Sequence, residues 1–523
     1  MSDLNIQETG NACRAPVQSR ILRTGYTGGS HSAVRLLLAG WRGVSRLFAL
    51  ALISSLAACA AASVGKPDLA LLYNRSASHH DASRNPIIAI PGLMGSKLTD
   101  TQSGKIVWGG FDGLSANPKK PEELRVLALP IGDGSEPLSA LKDTVRPSGG
   151  LDRARVRVLG VPVGLEVYAG IMATLGVGGY RDQTLGTSGV IDYGSDHFTC
   201  FQFSYDWRRD IIDSARELKK FILEKRAFVR AEYKKQFGTD KPNIKFDIAT
   251  HSMGGMVTRY FLMYGGQDLP KDGSLPKLTW EGAKYVERVI FVGTPNGGSV
   301  ISFENLVNGK KLGPTIPFFP AGLLGTYPSI YQLMPRARHG AYIWDAKSSK
   351  PIRNIMDPKL WERNQWGLAS PDQVEILAQL MPDVKSASER RRRALALQAR
   401  ILKRTKSFHK AMDRSARPPK GLQMFLVAGD SQKTPQQVSV SSKSGQVAFT
   451  KYGDGDETVL RSSALLDERE GGKWQPKVKS PIGFYSTLFL SEKHVELTKS
   501  ATFRDNVLYW LLEEPRHNLG PRR

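Results

Sequence analysis

The sequence predicts an α/β fold: a mostly parallel, doubly wound sheet with a large cap or lid insertion. Three observations predict it. Short apolar, β-branched runs alternate with longer amphipathic stretches, as parallel strands alternate with right-handed helical crossovers. One such strand turns directly into its helix over His251-Ser252-Met253-Gly254-Gly255. Residues 301–420 then interrupt the alternation before it resumes.

The serine turn organises the rest. Ile244–Thr250 reads as a buried strand and Met253–Tyr264 as a helix, with Met256, Val257, Phe261 and Leu262 on one stripe and Gly265-Gly266 as its stop. Small residues behind Ser252 let strand and helix pass closely, lift the hydroxyl out of the sheet, and aim the first helical N–H groups at what it attacks. The stretch reads as a nucleophile elbow, with Thr250 where the first glycine of G-x-S-x-G usually stands. A serine that merely caps a helix is the plainer alternative.

The 523 residues suffice for one large α/β domain with insertions, and 41% hydrophobic content is compatible with a sizeable core. The formal charge is +24; residues 1–58 hold six Lys/Arg and two Asp/Glu, a net of +4, which leaves +20 for the remainder. Such a balance suits anionic partners: phospholipid, lipopolysaccharide or nucleic acid. Cys13, Cys59 and Cys200 offer neither a disulfide framework nor a zinc spacing.

Residues 1–58 read as a leader ending in a signal peptide. Arg42 and Arg46 precede the apolar run Leu47–Leu56, and Leu56-Ala57-Ala58-Cys59 resembles a bacterial lipoprotein box with Cys59 as the lipidated residue. An uncleaved anchor over Leu47–Gly65, 19 residues without a charge, is the alternative. Either way the protein is exported and tied to a membrane. The expected place is the bacterial cell envelope, facing the periplasm or on the outer membrane.

Residues 59–85 are a linker, and 86–300 the first part of the core. Pro86–Gly95 is an apolar strand running into a Gly-rich turn that can aim backbone N–H groups at an oxyanion. In α/β-hydrolases the N–H after the nucleophile pairs with one from this early loop, here Met253 and Leu93. Thr101–Gly150 reads as loop-rich, with five prolines from Pro118 to Pro147. Leu165–Gly179 reads as a helix, His197–Phe203 as a strand, Asp210–Phe237 as a long helix and Arg288–Val292 as a strand.

In the 301–420 insertion, Gly313–Pro335 combines glycines and prolines with Ile316, Phe318, Phe319, Leu323, Leu324 and Tyr327. It is expected to expose these residues as a lid, with Phe318, Phe319, Leu323 and Leu324 against substrate. Lys385–Lys410 reads as a helix with ten Lys/Arg and one acid. Its readings are a solvated cap face and contact with anionic lipid. Residues 421–515 return to the core, with strands at Leu422–Ala428 and Phe484–Leu490 and a last helix near Ala501–Leu512. Residues 516–523 are a tail.

A serine hydroxyl needs an imidazole to take its proton and a carboxylate to fix that imidazole's tautomer. This fold orders them Ser, acid, His. His494 follows an apolar strand and precedes the last helix, whereas His517 sits in the polar tail. For the acid, Asp430, Asp454, Asp456 and Asp467 stand open. Asp456 is favoured because Glu-Thr-Val after it puts the carboxylate on a turn over buried Val459; Asp454 is the runner-up.

Several motifs occur together and in order: IIAIPGLMGSKL (Ile87–Leu98), FQFSYDWR (Phe201–Arg208), THSMGG, VGTPNGGS (Val292–Ser299), YQLMP (Tyr331–Pro335), GDGDETV (Gly453–Val459) and His494. In this the chain resembles the lecithin:cholesterol acyltransferase family, which includes phospholipid:diacylglycerol acyltransferases. The resemblance spans roughly Ile87–Leu512. It implies Ser252, Asp456 and His494 as a triad, Leu93 and Met253 as oxyanion donors, structural roles for Asp206 and Arg208, and no metal or organic cofactor. The expected activity is a serine-dependent acyltransferase or acyl hydrolase on ester lipids, through an acyl-enzyme at Ser252. An esterase for a soluble or polymeric ester and a catalytically silent envelope scaffold are the rivals. Nucleic-acid binding through Lys385–Lys410 conflicts with the export signal.

Overall fold

The computed structural model describes residues 72–110, 115–150, 154–158, 161–165, 169–185, 197–240, 243–311, 316–348, 350–469 and 480–516. The leader, Cys59 and the tail beyond residue 516 lie outside them.

The chain folds as an α/β-hydrolase-type molecule around six parallel strands. Across the sheet they run Ser486–Leu490, Gln423–Gly429, Val286–Val292, Phe246–His251, Ile87–Ile90 and Cys200–Gln202. In chain order that is 6-5-4-3-1-2. The order reverses where the first strand meets the third, and the crevice outside the carboxyl ends at such a switch is where α/β sheets bind ligands. Those two ends carry Pro91–Gly95 and Ser252.

Helices cover both faces, so the inner strands are buried on both sides and read as continuous apolar runs, while the edge strand Ser486–Leu490 alternates between half-buried and exposed residues. Ile88, Ile90, Ile248 and Phe291 enter one core layer, while Ile87, Ala89, Ala249 and Val292 enter the other. The helix Ile211–Phe237 starts on Asp210, whose carboxylate accepts from the Ile212 N–H at 2.8 Å, and stops at Gly238 with φ +63°. Gln332 of the YQLMP run accepts from the Ile211 N–H at 2.8 Å and donates to Asp210 at 2.9 Å, so the insertion is keyed to this helix start.

Several expected boundaries change. Thr101–Gly150 is loop-rich, as expected, and also carries regular structure: Ile106–Trp108 and Val145–Gly150 flank Ser96–Asp100 in a three-stranded antiparallel sheet, and a helix spans Pro121–Leu127. Pro147 is tolerated beside a register shift in its pairing with Ser96–Asp100. The helix expected from Leu165 is described from Ala169 to Val177, and Leu165 ends a strand. After Asp430 the chain forms a long hairpin, Gln432–Val440 with Val447–Gly455. Its first strand is polar and bulges at Pro435, which hid it from a hydrophobic pattern. Tyr342–Trp344, inside 301–420, pairs with this hairpin, so cap and second core part share a four-stranded sheet. The last helix is α-helical over Ala501–Leu508 and widens over Tyr509–Glu513.

The lid expectation is corrected most. Phe319, Leu323, Leu324 and Tyr327 are core residues, at most 1% exposed. Phe319 stands edge-on to Trp108 and Tyr327 edge-on to Trp207, and the Tyr327 hydroxyl donates to the Leu127 carbonyl at 2.8 Å. The small sheet and helix of residues 96–150 cover Phe319 and Tyr327, while Leu323 and Leu324 lie on the short helix Ala321–Leu324, which packs against Val300–Asn308, Gly367–Ala369 and Val374–Leu380. Phe318 alone of the four proposed lid residues is exposed, at 47%.

The helix expected over Lys385–Lys410 runs Ala387–Met412 and buries Leu397, Ile401, Phe408 and Met412. Many of its cations are used internally. Glu389 pairs with Arg392 and Arg393, Arg404 with Asp210 and Asp268, Arg391 donates to the Ala369 carbonyl, and Arg400 to that of Glu136. Lys403, Lys406 and Lys410 are exposed along its second half. Among the described residues no helix is long and apolar enough to cross a membrane.

Candidate active site

Ser252 sits between the strand Phe246–His251 and the helix Met253–Tyr264, with φ +53° and ψ −126°. A non-glycine residue there is strained by about 1–3 kcal/mol. Neighbours hold it: the Ser252 N–H donates to the Val292 carbonyl at 2.8 Å, and its carbonyl accepts from Gly255 at 3.0 Å. The two following glycines are there for space. A Cβ on Gly254 would meet the Pro91 carbonyl at 2.4 Å and Thr250 Oγ1 at 2.8 Å, and one on Gly255 would meet Thr294 Oγ1 at 2.0 Å. Thr250 is fully buried, so a threonine in the motif's first position makes Gly254 more necessary.

His494 Nε2 lies 2.9 Å from Ser252 Oγ, and His494 Nδ1 lies 2.7 Å from Asp456 Oδ2. The three side chains thus form one hydrogen-bonded row. A carboxylate only accepts, so Nδ1 carries the proton and Nε2 is free to accept from the serine. Asp456 is fully buried. Its other oxygen accepts from the N–H groups of Thr458 at 3.0 Å and Val459 at 2.6 Å, the turn that the Glu-Thr-Val sequence makes. The His494 N–H donates to the Asp456 carbonyl at 2.8 Å. Gly429 lies against Asp456, leaving a Cβ only 2.5 Å from that of the aspartate.

The other acids lie elsewhere. Asp454 has a side chain 70% exposed and faces Arg461 at 3.8 Å. Asp430 also faces Arg461, at 4.0 Å, and Asp467 binds Arg469 at 2.7 Å.

The early loop reaches the serine. A Cβ on Gly92 would stand 2.8 Å from Ser252 Cβ, so Pro91–Gly95 packs directly beside it. Gly95 N–H closes a turn onto the Gly92 carbonyl at 3.0 Å, and Met94 has φ +62°. Trp108 Nε1 donates to the Met94 carbonyl at 2.8 Å and Tyr205 Oη to that of Pro91 at 2.9 Å. Leu93 thus sits on a loop held at both ends. Met253 opens its helix, so its N–H has no intrahelical acceptor.

Asp206 and Arg208 hold the fold rather than the reacting centre. Fully buried Arg208 bonds Asp206, Asp143 and the carbonyls of Val126, Leu127 and Ala128. Burial pushes the Asp206 carboxyl up, but Arg208 and Arg209 outweigh it and leave it below the usual range.

Three residues around the site carried no assignment from the sequence. Trp108 and Tyr205 brace the early loop. Arg259, on the helix after Ser252, donates to Asn296 Oδ1 at 2.6 Å and to the Met412 carbonyl, latching that helix to the end of the cap helix. Burial and then Arg336 push Arg259 down to about 9. These contacts join distant segments, and no local motif announces them. Among the described residues no group of His, Cys, Asp or Glu could hold a metal ion.

The fold and the buried row of serine, histidine and aspartate define a class, the α/β-hydrolases. The lecithin:cholesterol acyltransferase family model matches residues 189–463, more than half of the chain, and the protein belongs to that family. The match includes Ser252 and Asp456 and stops before His494. The protein is thus an enzyme of the lipase and acyltransferase type, acting on lipid. No curated protein sequence matches the chain significantly. Among solved structures, it is similar to one described as a Tle4–Tli4 complex, with TM-score 0.49, 16% identity, 83% of this chain and 99% of the other covered. It is also similar to lipase 1 from Pelosinus fermentans, with TM-score 0.31, 12% identity and 82% and 99% covered. EstA from Clostridium botulinum gives TM-score 0.31, 12% identity and 87% and 100% covered.

Proposed function

We propose that the protein is a serine-dependent lipid acyl hydrolase or acyltransferase working through an acyl-enzyme at Ser252. The observation that carries this is the row Ser252 Oγ–His494 Nε2–His494 Nδ1–Asp456 Oδ2, at 2.9 and 2.7 Å. Ser252 Oγ attacks the ester carbonyl as His494 Nε2 takes its proton. Asp456, bonded to two backbone N–H groups, steadies the imidazolium that forms. The N–H groups of Met253 and Leu93 receive the developing oxyanion. His494 then returns the proton to the departing alcohol. Water, or a second alcohol held in its place, repeats these steps in reverse order and frees the acyl group.

Of the residues assigned to a lid, Phe318 keeps the exposure that lipid contact needs. Its neighbour Phe319 packs on Trp108, which also holds the early loop. Lipidation at Cys59 would place the enzyme on an envelope membrane, and Lys403, Lys406 and Lys410 offer charge to an anionic surface. Palmitate labelling of wild type and Cys59→Ala tests the tether.

The substrate test is lipid analysis of purified protein incubated with mixed phospholipid and neutral lipid. Wild type should release fatty acid or form new esters, and Ser252→Ala neither. Turnover by Ser252→Ala at the wild-type rate would remove Ser252 from the mechanism.

A further inference from the structure

His251 ends the elbow strand and immediately precedes Ser252, yet the proton-transfer row does not use it. Its ring is 9% exposed, and its Nε2 lies 3.0 Å from the backbone carbonyl oxygen of His494. A carbonyl has no proton to give, so Nε2 carries the hydrogen and donates. The two imidazole rings lie 4.7 Å apart at a tilt of 47°.

We infer that His251 is a positioning residue that holds the main chain of the base by donating its Nε2–H to the His494 carbonyl. The inference rests on the proposed role of His494 as base. Both amide groups of His494 are then fixed. Its N–H is bonded to the Asp456 carbonyl at 2.8 Å and its C=O to the residue beside the nucleophile. The backbone thus repeats the side-chain row, with the acid on one side of the base and the elbow on the other.

The loop needs such support. Lys493 and Val495, on either side of His494, are exposed, and the nearest buried residues in sequence are Leu490 and Leu497. Lys493 reaches out to Glu457 at 2.9 Å rather than inward. Across the ring, Gly293 leaves room with φ +57°, where a Cβ would come within 3.1 Å of His494.

The electrostatics agree with this role. Burial first, and the neighbouring His494 second, push His251 down to about 3, against the weaker pull of its bond to the His494 carbonyl and of Asp456. His251 is therefore neutral at working pH. A second cation beside His494 would oppose the imidazolium that the reaction makes there.

The test replaces the donor and the ring separately. In H251F the ring stays and the donor goes; in H251Q the ring goes, and the amide nitrogen reaches about where Nε2 stood. A misplacement of about 1 Å costs on the order of 10²-fold in rate. H251F should therefore lose about 10–100-fold in kcat on a short-chain p-nitrophenyl ester, with KM within about twofold. H251Q should recover most of that loss, and H251N, whose amide is too short to reach, should not. Labelling of Ser252 by a fluorophosphonate should slow in the same order. Ring packing alone would invert the ranking, with H251F active and H251Q impaired, and that result overturns the inference. Equal activity in all variants overturns it too. If H251F does not fold, the H251Q and H251N pair decides: Gln better than Asn supports the clamp, and Asn equal to Gln refutes it. Failure of the underlying reading looks different. Wild type would then resist the fluorophosphonate while hydrolysing the ester, and the clamp would fall with the base it holds.

Discussion

Two glycine-containing stretches rich in apolar residues meet different fates in this molecule. Around Ser252 the sequence HSMGG and its flanks fold as their local chemistry dictates, because each constraint acts between near neighbours. A strand ends, a helix begins, and the two glycines fit gaps left by Pro91 and Thr294. In Gly313–Pro335 the same ingredients suggest a mobile lid, but Phe319, Leu323 and Leu324 are buried. Phe319 meets Trp108, some two hundred positions earlier, while the short helix of Leu323 and Leu324 packs on Val300–Asn308 and on later parts of the insertion. Turn chemistry is local and can be read. Burial depends on which distant surface arrives, and a run of apolar residues does not name it.

The sharpest break of this comparison lies at the site. Asp456→Asn should leave the fold intact and cost on the order of 10⁴ in turnover, by unsettling the tautomer of His494. Asp454→Asn, one turn away and exposed, should change turnover by less than about threefold, since surface changes rarely move a protein by more than about 0.5 kcal/mol. Steady-state kinetics and melting curves on both variants check this.

In the insertion, Phe319→Ser should cost about 3–5 kcal/mol of stability, as emptying a buried aromatic site does. A mobile lid would lose nothing there. Gly255→Ala brings the comparison back to the elbow. Its Cβ would overlap Thr294, and overpacking of this kind costs about 1–3 kcal/mol, read as a lower melting temperature together with slower turnover.

Much of the fold was legible. The helix Met253–Tyr264, the parallel strands and the residues of the hydrogen-bonded row carry strong patterns: a buried apolar run, a turn that only small residues permit, and one histidine left in the right place. The hairpin Gln432–Val440/Val447–Gly455 was not legible, because its strands are polar and one contains Pro435. The small sheet around Ser96–Gly150 was hidden by prolines that sit at helix starts and register shifts. His251, Trp108 and Arg259 act through backbone carbonyls, which accept from any donor and leave no trace in a motif.

The cap has its own acid response. His409, on the helix Ala387–Met412, donates to the Gln332 carbonyl at 2.9 Å and is pushed down to about 3 by burial and then by Arg336. In the unfolded chain it takes a proton near its ordinary value of about 6.5. Its contribution is therefore complete above about pH 6.5 and is lost as the pH falls toward 3. Asp413 has the same sign. Burial raises it, Arg336 and Arg338 more than reverse that, and its contribution disappears only in stronger acid. Melting temperature should decline from pH 7 to 4, and less steeply in His409→Gln. Smallest in stability is Phe318→Ser, within about 0.5 kcal/mol. Activity should rise from monomeric to micellar ester in wild type, and this variant should keep its rate on monomer and lose part of that rise.

The central claim is that Ser252 is a nucleophile activated by His494 and Asp456. Fluorophosphonate labelling followed by peptide mapping tests it most directly. One adduct is expected, on the peptide containing Ser252, formed much more slowly in Asp456→Asn and absent in Ser252→Ala. An adduct on another serine, or labelling of Ser252 at an unchanged rate in Asp456→Asn, would contradict it.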